Sequence, residues 1–525
     1  MVKNHHSFSL LAGIIAALAV ALALRLPEAG IRPMHNDEAV NAIKFRDLDR
    51  HFDYKYDPNE YHGPTLAYFT LAWTRLTCAP DFDEFSEARF RLLTIAFGAG
   101  LILLLPLVED GLGRKAALCA ALLTAVSPAM VFYSRYYIHE MLLVFFTFLT
   151  LASGWRYWQS RRIGWAVMTG AALGLAQATK ETFVLEIAAA GAAFAFSAVW
   201  YRCTLRPEKP AAPNARFPAK HAAAALAAWI GVVIVLFSSF FTNKKGIFDA
   251  IRTYLPWLHR TEGASPHIHP WNFYLERLIW FHTGKGPVWS EGLIIALAVV
   301  GVVVAFTHAS HPDAGEGNKG FLRFLAVYTI ALTAIYSVIA YKTPWCALGF
   351  LHGMILLAGV GMAGLLNWSR WRSVKILVGI LLLAGAGQLA LRAWQASTVH
   401  CADRGNPYVY GQTVPDLLNL VDLVNGVTDA QRNGGQTVIK VMAPDGGYWP
   451  LPWYLRRFKN VGWWSEIPPD PYAPIMIVSA KFKRDFDENK THVMVGYFQL
   501  RPELFLELYV QADLWNAYLK AKPKE

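Results

Sequence analysis

Ser7–Leu24, SFSLLAGIIAALAVALAL, is an uncharged apolar run long enough to cross the hydrocarbon core of a bilayer. It follows a short basic start and shows no small-x-small cleavage site before Pro27, so it reads as a retained anchor and not as a removed signal peptide. Similar runs recur at 89–108, 116–134, 140–157, 163–179, 182–201, 221–241, 289–307, 321–340, 346–366 and 374–394, which with 7–25 gives about 11 spans. With 54% hydrophobic and 17% charged residues among 525 and a mean hydropathy of +0.28, the composition excludes an ordinary soluble globular chain. The fold class expected is a polytopic α-helical membrane protein.

Lys and Arg set the expected orientation. Arg114 and Lys115, then Arg156, Arg161 and Arg162, then Arg202, Arg206, Lys209, Arg216 and Lys220, then Arg370, Arg372 and Lys375 fall in alternate connections. The positive-inside rule places these in the cytoplasm, with the N-terminus inside and the C-terminus outside. The same loops, facing anionic lipid, account for most of the net charge of +11. No zinc-finger spacing or arginine-rich arm points to nucleic acid. The five cysteines, Cys78, Cys119, Cys203, Cys346 and Cys401, are scattered and form no CxxC pair, so neither a metal site nor a disulfide framework is indicated.

Two domains are expected: a membrane domain over 1–395 with outer loops at 27–88 and 242–287, and a soluble extracytoplasmic α/β domain over 396–525. In the first loop, Glu38–Leu48 and Thr65–Leu76 have helical amphipathic patterns. The Pro- and Ala-rich stretch Arg202–Lys220 reads as an unstructured cytoplasmic loop. Beyond 396, Thr437–Met442 and Ile475–Ser479 read as strands, and Val414–Leu423 and Tyr448–Phe458 as helices, the last interrupted by prolines.

The chemistry is sought where ionisable groups meet predicted membrane borders. Asp37 and Glu38, in His35-Asn36-Asp37-Glu38, lie just beyond the first run on its far side. A carboxylate there can remove the proton of an incoming hydroxyl or amine as it attacks a sugar carbon. The same residues can cap the following helix, and a cap and a base do not exclude each other. Glu140, in Ser134-Arg135-Tyr136-Tyr137-Ile138-His139-Glu140, opens a predicted span on the same side. A carboxylate in that place is expensive unless paired or functional, with Arg135 or His139 as the expected partner. Lys180, in Ala178-Thr179-Lys180-Glu181-Thr182, and Lys342, in Tyr341-Lys342-Thr343-Pro344-Trp345, occupy tight outer turns where the positive-inside rule disfavours lysine. A phosphate at headgroup level is one reason for such lysines, and snorkelling to the interface is the other. His62, in Tyr61-His62-Gly63-Pro64, sits in a turn and is either structural or a donor to substrate. His267 and His269 are not at metal-ligand spacing, and no metal is assigned.

The acidic pair, the His-Gly-Pro turn, the Ser-Arg-x-x-x-x-acid turn and the Thr-Lys turn together resemble the GT-C membrane glycosyltransferases. The branch resembled is that of the protein O-mannosyltransferases and aminoarabinose transferases, including the prokaryotic subgroup labelled flippase-activity-associated proteins. The likeness covers Met34–Glu186, echoes at Tyr341–Trp345, and fades in the C-terminal domain. It implies transfer of a sugar from a polyprenyl-phosphate donor, a lipid of the membrane, to an extracytoplasmic acceptor with inversion. It further implies Asp37 as base, Glu38 as orienter of Asp37 or of the acceptor, Glu140 in a place where relatives carry Asp, His62 where relatives place a His or Lys before proline, and Lys180 and Lys342 on the donor phosphate; Arg135 and His139, from the turn before Glu140, complete the expected substrate-binding set. No nucleotide cofactor and no metal is implied; the separated acidic motif of the metal-dependent oligosaccharyltransferase branch is not evident. Neither the acceptor nor an oligomeric state is legible. A lipid-linked glycan flippase component is the alternative, but a transporter should show paired half-chain repeats with broken spans at the bilayer midplane, whereas the charged motifs here lie at borders.

Overall fold

The computed structural model describes residues 2–52, 54–59, 62–204, 218–259, 265–307, 317–431, 434–486 and 490–521. Helices coincide with all the predicted apolar runs: Val2–Arg25, Glu87–Leu104, Arg114–Val126 with Pro128–Ser134, Glu140–Ser160, Ile163–Gln177, Phe183–Thr204, Ala219–Phe237, Gly292–Phe306, Lys319–Val338, Leu348–Trp368 and Arg372–Ser397. Among the described residues six helical stretches are long and apolar enough to cross a membrane, or seven if the bent pair counts as one span. Ile163–Gln177 and Gly292–Phe306 are apolar but shorter. In Glu140–Ser160 the polar, Arg156-bearing end dilutes the apolar stretch. The expected loop over 202–220 falls mostly outside the described residues, since 205–217 are among those not described.

The bent pair has a local cause. Ser127 precedes Pro128, which disfavours helical geometry at Ser127, and that residue adopts φ −59°, ψ 122°. The axes on either side differ by 59°. Glu291, at the start of another helix, accepts hydrogen bonds from the Ser127 hydroxyl (2.9 Å), the Ala129 N–H (2.7 Å) and the Tyr408 hydroxyl (3.2 Å), which satisfies donors that the break leaves free. The bend delivers Ser134–Glu140 to the end of the bundle that also carries the first loop.

In that loop, Asn36–His51 and Thr65–Leu76 are helices, matching the amphipathic patterns. The C-terminal region forms one five-stranded sheet from β1 (Ile439–Met442), β2 (Val461–Trp464), β3 (Ile475–Ser479), β4 (His492–Arg501) and β5 (Leu504–Gln511), in the order β2-β1-β3-β5-β4. β1 runs parallel to β2 and β3, while β5 is antiparallel to β3 and β4. Asp416–Asp429 packs Leu417, Leu420 and Val424 against Ile439, Ile475 and Leu508. The two expected strands are present. Of the expected helix over Tyr448–Phe458 only Leu451–Tyr454 is α-helical, because Pro450 and Pro452 limit backbone donors to a single turn.

This sheet domain is seated on the first loop. Trp453 packs edge-on against Phe82 and Phe90 and donates its indole N–H to Glu87 at 3.0 Å. The Tyr454 hydroxyl accepts from the Met34 N–H at 2.8 Å, and Arg456 donates to the Phe85 carbonyl at 2.7 Å.

Candidate functional site

His35-Asn36-Asp37-Glu38 starts a helix through a reciprocal cap: the His35 ring accepts from the Asp37 N–H (3.1 Å) and Glu38 accepts from the His35 N–H (3.0 Å). The two adjacent acids then part company. Asp37 has a side chain 46% exposed, with His35 Nδ1 at 3.8 Å. His35, Tyr136, His267 and Arg501 all lie within its electrostatic reach. It is an open carboxylate among aromatic and basic side chains. Neither the pocket lined by Val144, Phe148 and His352 nor that lined by Arg32, Phe132 and Arg135 includes it.

Glu38 is fully buried and takes both N–H donors of the Arg91 fork at 2.8 Å each, with the Tyr137 N–H at 2.9 Å and Arg32 at 3.7 Å. The neighbouring guanidiniums Arg91 and Arg32 overcome the cost of burial and hold its pKa down at about 2. Its carboxylate oxygens are taken up by Arg91, the Tyr137 N–H and the His35 N–H, and it ties the first loop to the Tyr137 turn. Arg91 itself also donates to the carbonyls of Ala29, Arg32 and Pro33.

Glu140 is buried, and its partner is neither Arg135 nor His139 but Lys180, whose ammonium donates to Glu140 Oε1. Arg135 turns away to donate to the Glu28 carbonyl at 2.5 Å, and the His139 ring contacts the Gly63 carbonyl at 3.0 Å. Burial drives the His139 pKa far below its ordinary value. For Lys180 the Glu140 carboxylate outweighs burial and keeps the ammonium charged.

The His62 turn and the Lys180 turn are zipped together. Gly63 N–H donates to the Thr179 carbonyl and Thr65 N–H to the Ala178 carbonyl, both at 3.1 Å. His62 Nδ1 lies 2.8 Å from Glu181, which also accepts from the Tyr56 hydroxyl at 3.2 Å. His62 and its neighbour together pull the Glu181 pKa to about 2. Lys342 donates to the carbonyls of His269 (3.1 Å) and Ile339, pinning the loop that carries His269 to the Tyr341–Trp345 turn. On that loop, His267 Nδ1 (2.9 Å) and His269 Nε2 (3.0 Å) both meet the Tyr410 hydroxyl, which donates to the Pro266 carbonyl at 3.1 Å. The Tyr410 carbonyl lies 3.1 Å from His35 Nε2.

The residues singled out from sequence therefore gather at one end of the bundle in two groups, Asp37 with His35 and the Lys180–Glu140 pair with His62 and His139. Trp345 and Cys346 link them: Trp345 contacts His35 and Tyr136, and Cys346 lies in the field of Lys180 and Glu140. Sequence reasoning missed Arg91, Glu181, Tyr410 and Arg501. Glu181 was visible beside Lys180, Arg91 was masked by its place in an apolar run, and nothing local marks the other two. Among the described residues no group of three or more His, Cys, Asp or Glu side chains is arranged to hold a metal ion.

Residues 61–214 match the family model described as dolichyl-phosphate-mannose-protein mannosyltransferase. In structure the chain is similar to ArnT from Cupriavidus metallidurans, with 15% identity over 97% of this chain and 99% of that one, at a TM-score of 0.61 for the form bound to undecaprenyl phosphate and 0.63 for the apo form. In fold the chain is ArnT-like, and its 61–214 segment matches the mannosyltransferase model. The oligosaccharyltransferase of Archaeoglobus fulgidus is also similar in fold, at a TM-score of 0.52, with 12% identity over 98% of this chain and 77% of that one. No curated protein matches by sequence. The structural likeness extends through the C-terminal sheet domain, where the motif resemblance fades.

Proposed function

We propose that this chain is a membrane glycosyltransferase that moves a sugar from a polyprenyl-phosphate donor to an acceptor on the extracytoplasmic side, with inversion, and that Asp37 is the general base. The observation that carries the reading is the contrast within one turn of helix: Glu38 is locked into Arg91 and anchors the turn, while Asp37 is held open beside it. A base needs a fixed backbone and a free carboxylate, and this turn supplies both. The undecaprenyl phosphate bound to the ArnT neighbour supports a polyprenyl donor.

In this reading the N-terminus is cytoplasmic, about 11 helices cross or enter the membrane, and residues 396–525 form an outer domain over the site. Lys180 and Lys342 meet the donor phosphate with the N–H donors that Glu140 and the backbone carbonyls leave over, while His62, His139 and Arg135 shape the surrounding turns. Their shared location at one end of the bundle supports this.

Asp37→Asn keeps the shape of the side chain but cannot take a proton. The expected result is a loss of transfer of about 10²-fold or more with membrane insertion unchanged, read by mass spectrometry of lipid-linked and surface glycans in cells carrying only the variant. Unaltered glycan products in those cells reject the catalytic role.

A further inference from the structure

The cations near Asp37 differ in how far their donors are committed. Lys180 is paired with Glu140, and Lys342 is fixed to two backbone carbonyls. Arg32 lies over the Phe132 and Tyr136 rings and donates to the Arg135 carbonyl at 2.6 Å. Arg501 is different. It is the last residue of β4, half-buried, at the tip of the β4–β5 hairpin opposite Leu504, and among the described residues its side chain makes neither a hydrogen bond nor a close ion pair.

The position of this tip is set by the chain that leaves the last long helix. Val414 N–H donates to the Leu500 carbonyl at 3.0 Å, which fixes β4 against residues 410–414. The same segment reaches the first loop: the Tyr410 carbonyl meets His35 Nε2, and Gln412 donates to the Pro33 carbonyl at 3.1 Å. Asp416, two residues on in the same segment, accepts from the Gln499 N–H at 2.7 Å and steadies the strand. Leu500 and His35 are thus bridged by a short run of backbone, which brings the end of β4 toward the Asp37 turn, and Arg501 lies within the electrostatic reach of Asp37.

A guanidinium with its donors uncommitted, held by a rigid strand and half withdrawn from solvent, is suited to bidentate capture of a phosphate or carboxylate group. We propose that Arg501 forms an oxyanion-binding subsite beside Asp37, so that the C-terminal sheet domain supplies part of the site. The inference rests on the transferase reading above, and the oxyanion is either the phosphate of the lipid donor or an anionic group on the acceptor. In both cases Arg501 acts by positioning a substrate next to the base.

The test uses the purified full-length chain in detergent, with thermal stabilisation measured against undecaprenyl phosphate and, separately, against inorganic phosphate, for the parent protein, Arg501→Gln, Arg501→Lys and the control Arg404→Gln, an exposed arginine 4.0 Å from Glu503 in the β4–β5 turn. Melting without ligand reports whether each variant is folded. The expected result is that Arg501→Gln weakens at least one probe by about tenfold or more, that Arg501→Lys recovers part of the loss, and that Arg404→Gln changes nothing. Loss confined to undecaprenyl phosphate identifies the donor as the source; loss confined to inorganic phosphate identifies a non-lipid anion. Equal binding of both probes by the parent and a folded Arg501→Gln overturns the subsite. Should the parent bind no undecaprenyl phosphate, the donor reading under the proposed function falls, and the inorganic phosphate arm alone decides Arg501.

Discussion

Glu38 offers a case where burial and charge can be separated by experiment. Its carboxylate satisfies Arg91, the Tyr137 N–H and the His35 N–H at once, so Glu38→Gln leaves a buried guanidinium without its counter-charge. Breaking such a pair costs about 3–5 kcal/mol, and a clear fall in thermal midpoint relative to Asp37→Asn is expected. The pH dependence follows in sign. With its folded pKa lowered from 4.5 to about 2, Glu38 contributes stability that is fully present above pH 4.5 and is lost only as pH falls toward 2. His139 works in another window: a buried imidazole with pKa pushed well below 6.5 disfavours the folded state as pH drops below 6.5. Melting curves should therefore begin to weaken between pH 6.5 and 4.5 through buried histidine, with His139→Gln reducing that slope and Glu38→Gln leaving it unchanged. The acidic pair was legible in the sequence as a chemical signal, but not its division of labour. That division depends on Arg91, which lies 53 residues away on a helix whose apolar character hides one charge.

The two turns at 62–65 and 178–182 behave as one element. Gly63 has no room for a side chain: a Cβ there would lie 2.1 Å from the Ala178 carbonyl oxygen. Gly63→Ala has to pry the turns apart, at a cost of about 1–3 kcal/mol, and should displace His62 from Glu181 and the His139 ring from the Gly63 carbonyl. The expected outcome is a lower thermal midpoint together with a loss of transfer, whereas alanine at the exposed Gly164, which has open space around it, changes neither. The helix over Thr65–Leu76 was readable from its apolar and aromatic spacing, and the Gly-Pro turn before it from turn chemistry. The pairing of that turn with the Thr-Lys turn was not, because the hydrogen bonds joining them run between backbone groups, which carry no residue code.

Across the whole molecule, the apolar runs and the sheet region were apparent from hydropathy and from a change in composition, since both depend on averages over many residues. How the sheet domain sits on the first loop depends on a few long-range contacts instead. Trp453 is the anchor, with its ring among Phe82 and Phe90 and its N–H on Glu87. Trp453→Ala should cost about 3–5 kcal/mol and loosen the neighbouring Tyr454 from Met34, three residues before Asp37; limited proteolysis should then cut the C-terminal region more readily, with transfer reduced in parallel. Tyr410 joins three distant stretches of the chain in another way. Its hydroxyl hydrogen goes to the Pro266 carbonyl, so His267 Nδ1 and His269 Nε2 must each present a hydrogen to its oxygen. Burial favours the neutral form of both rings, which fixes a tautomer for each and leaves a lone pair on His267 Nε2 and on His269 Nδ1. A polar visitor to that rim meets hydrogen-bond acceptors, and replacing Tyr410 by phenylalanine would release both imidazoles to turn donor.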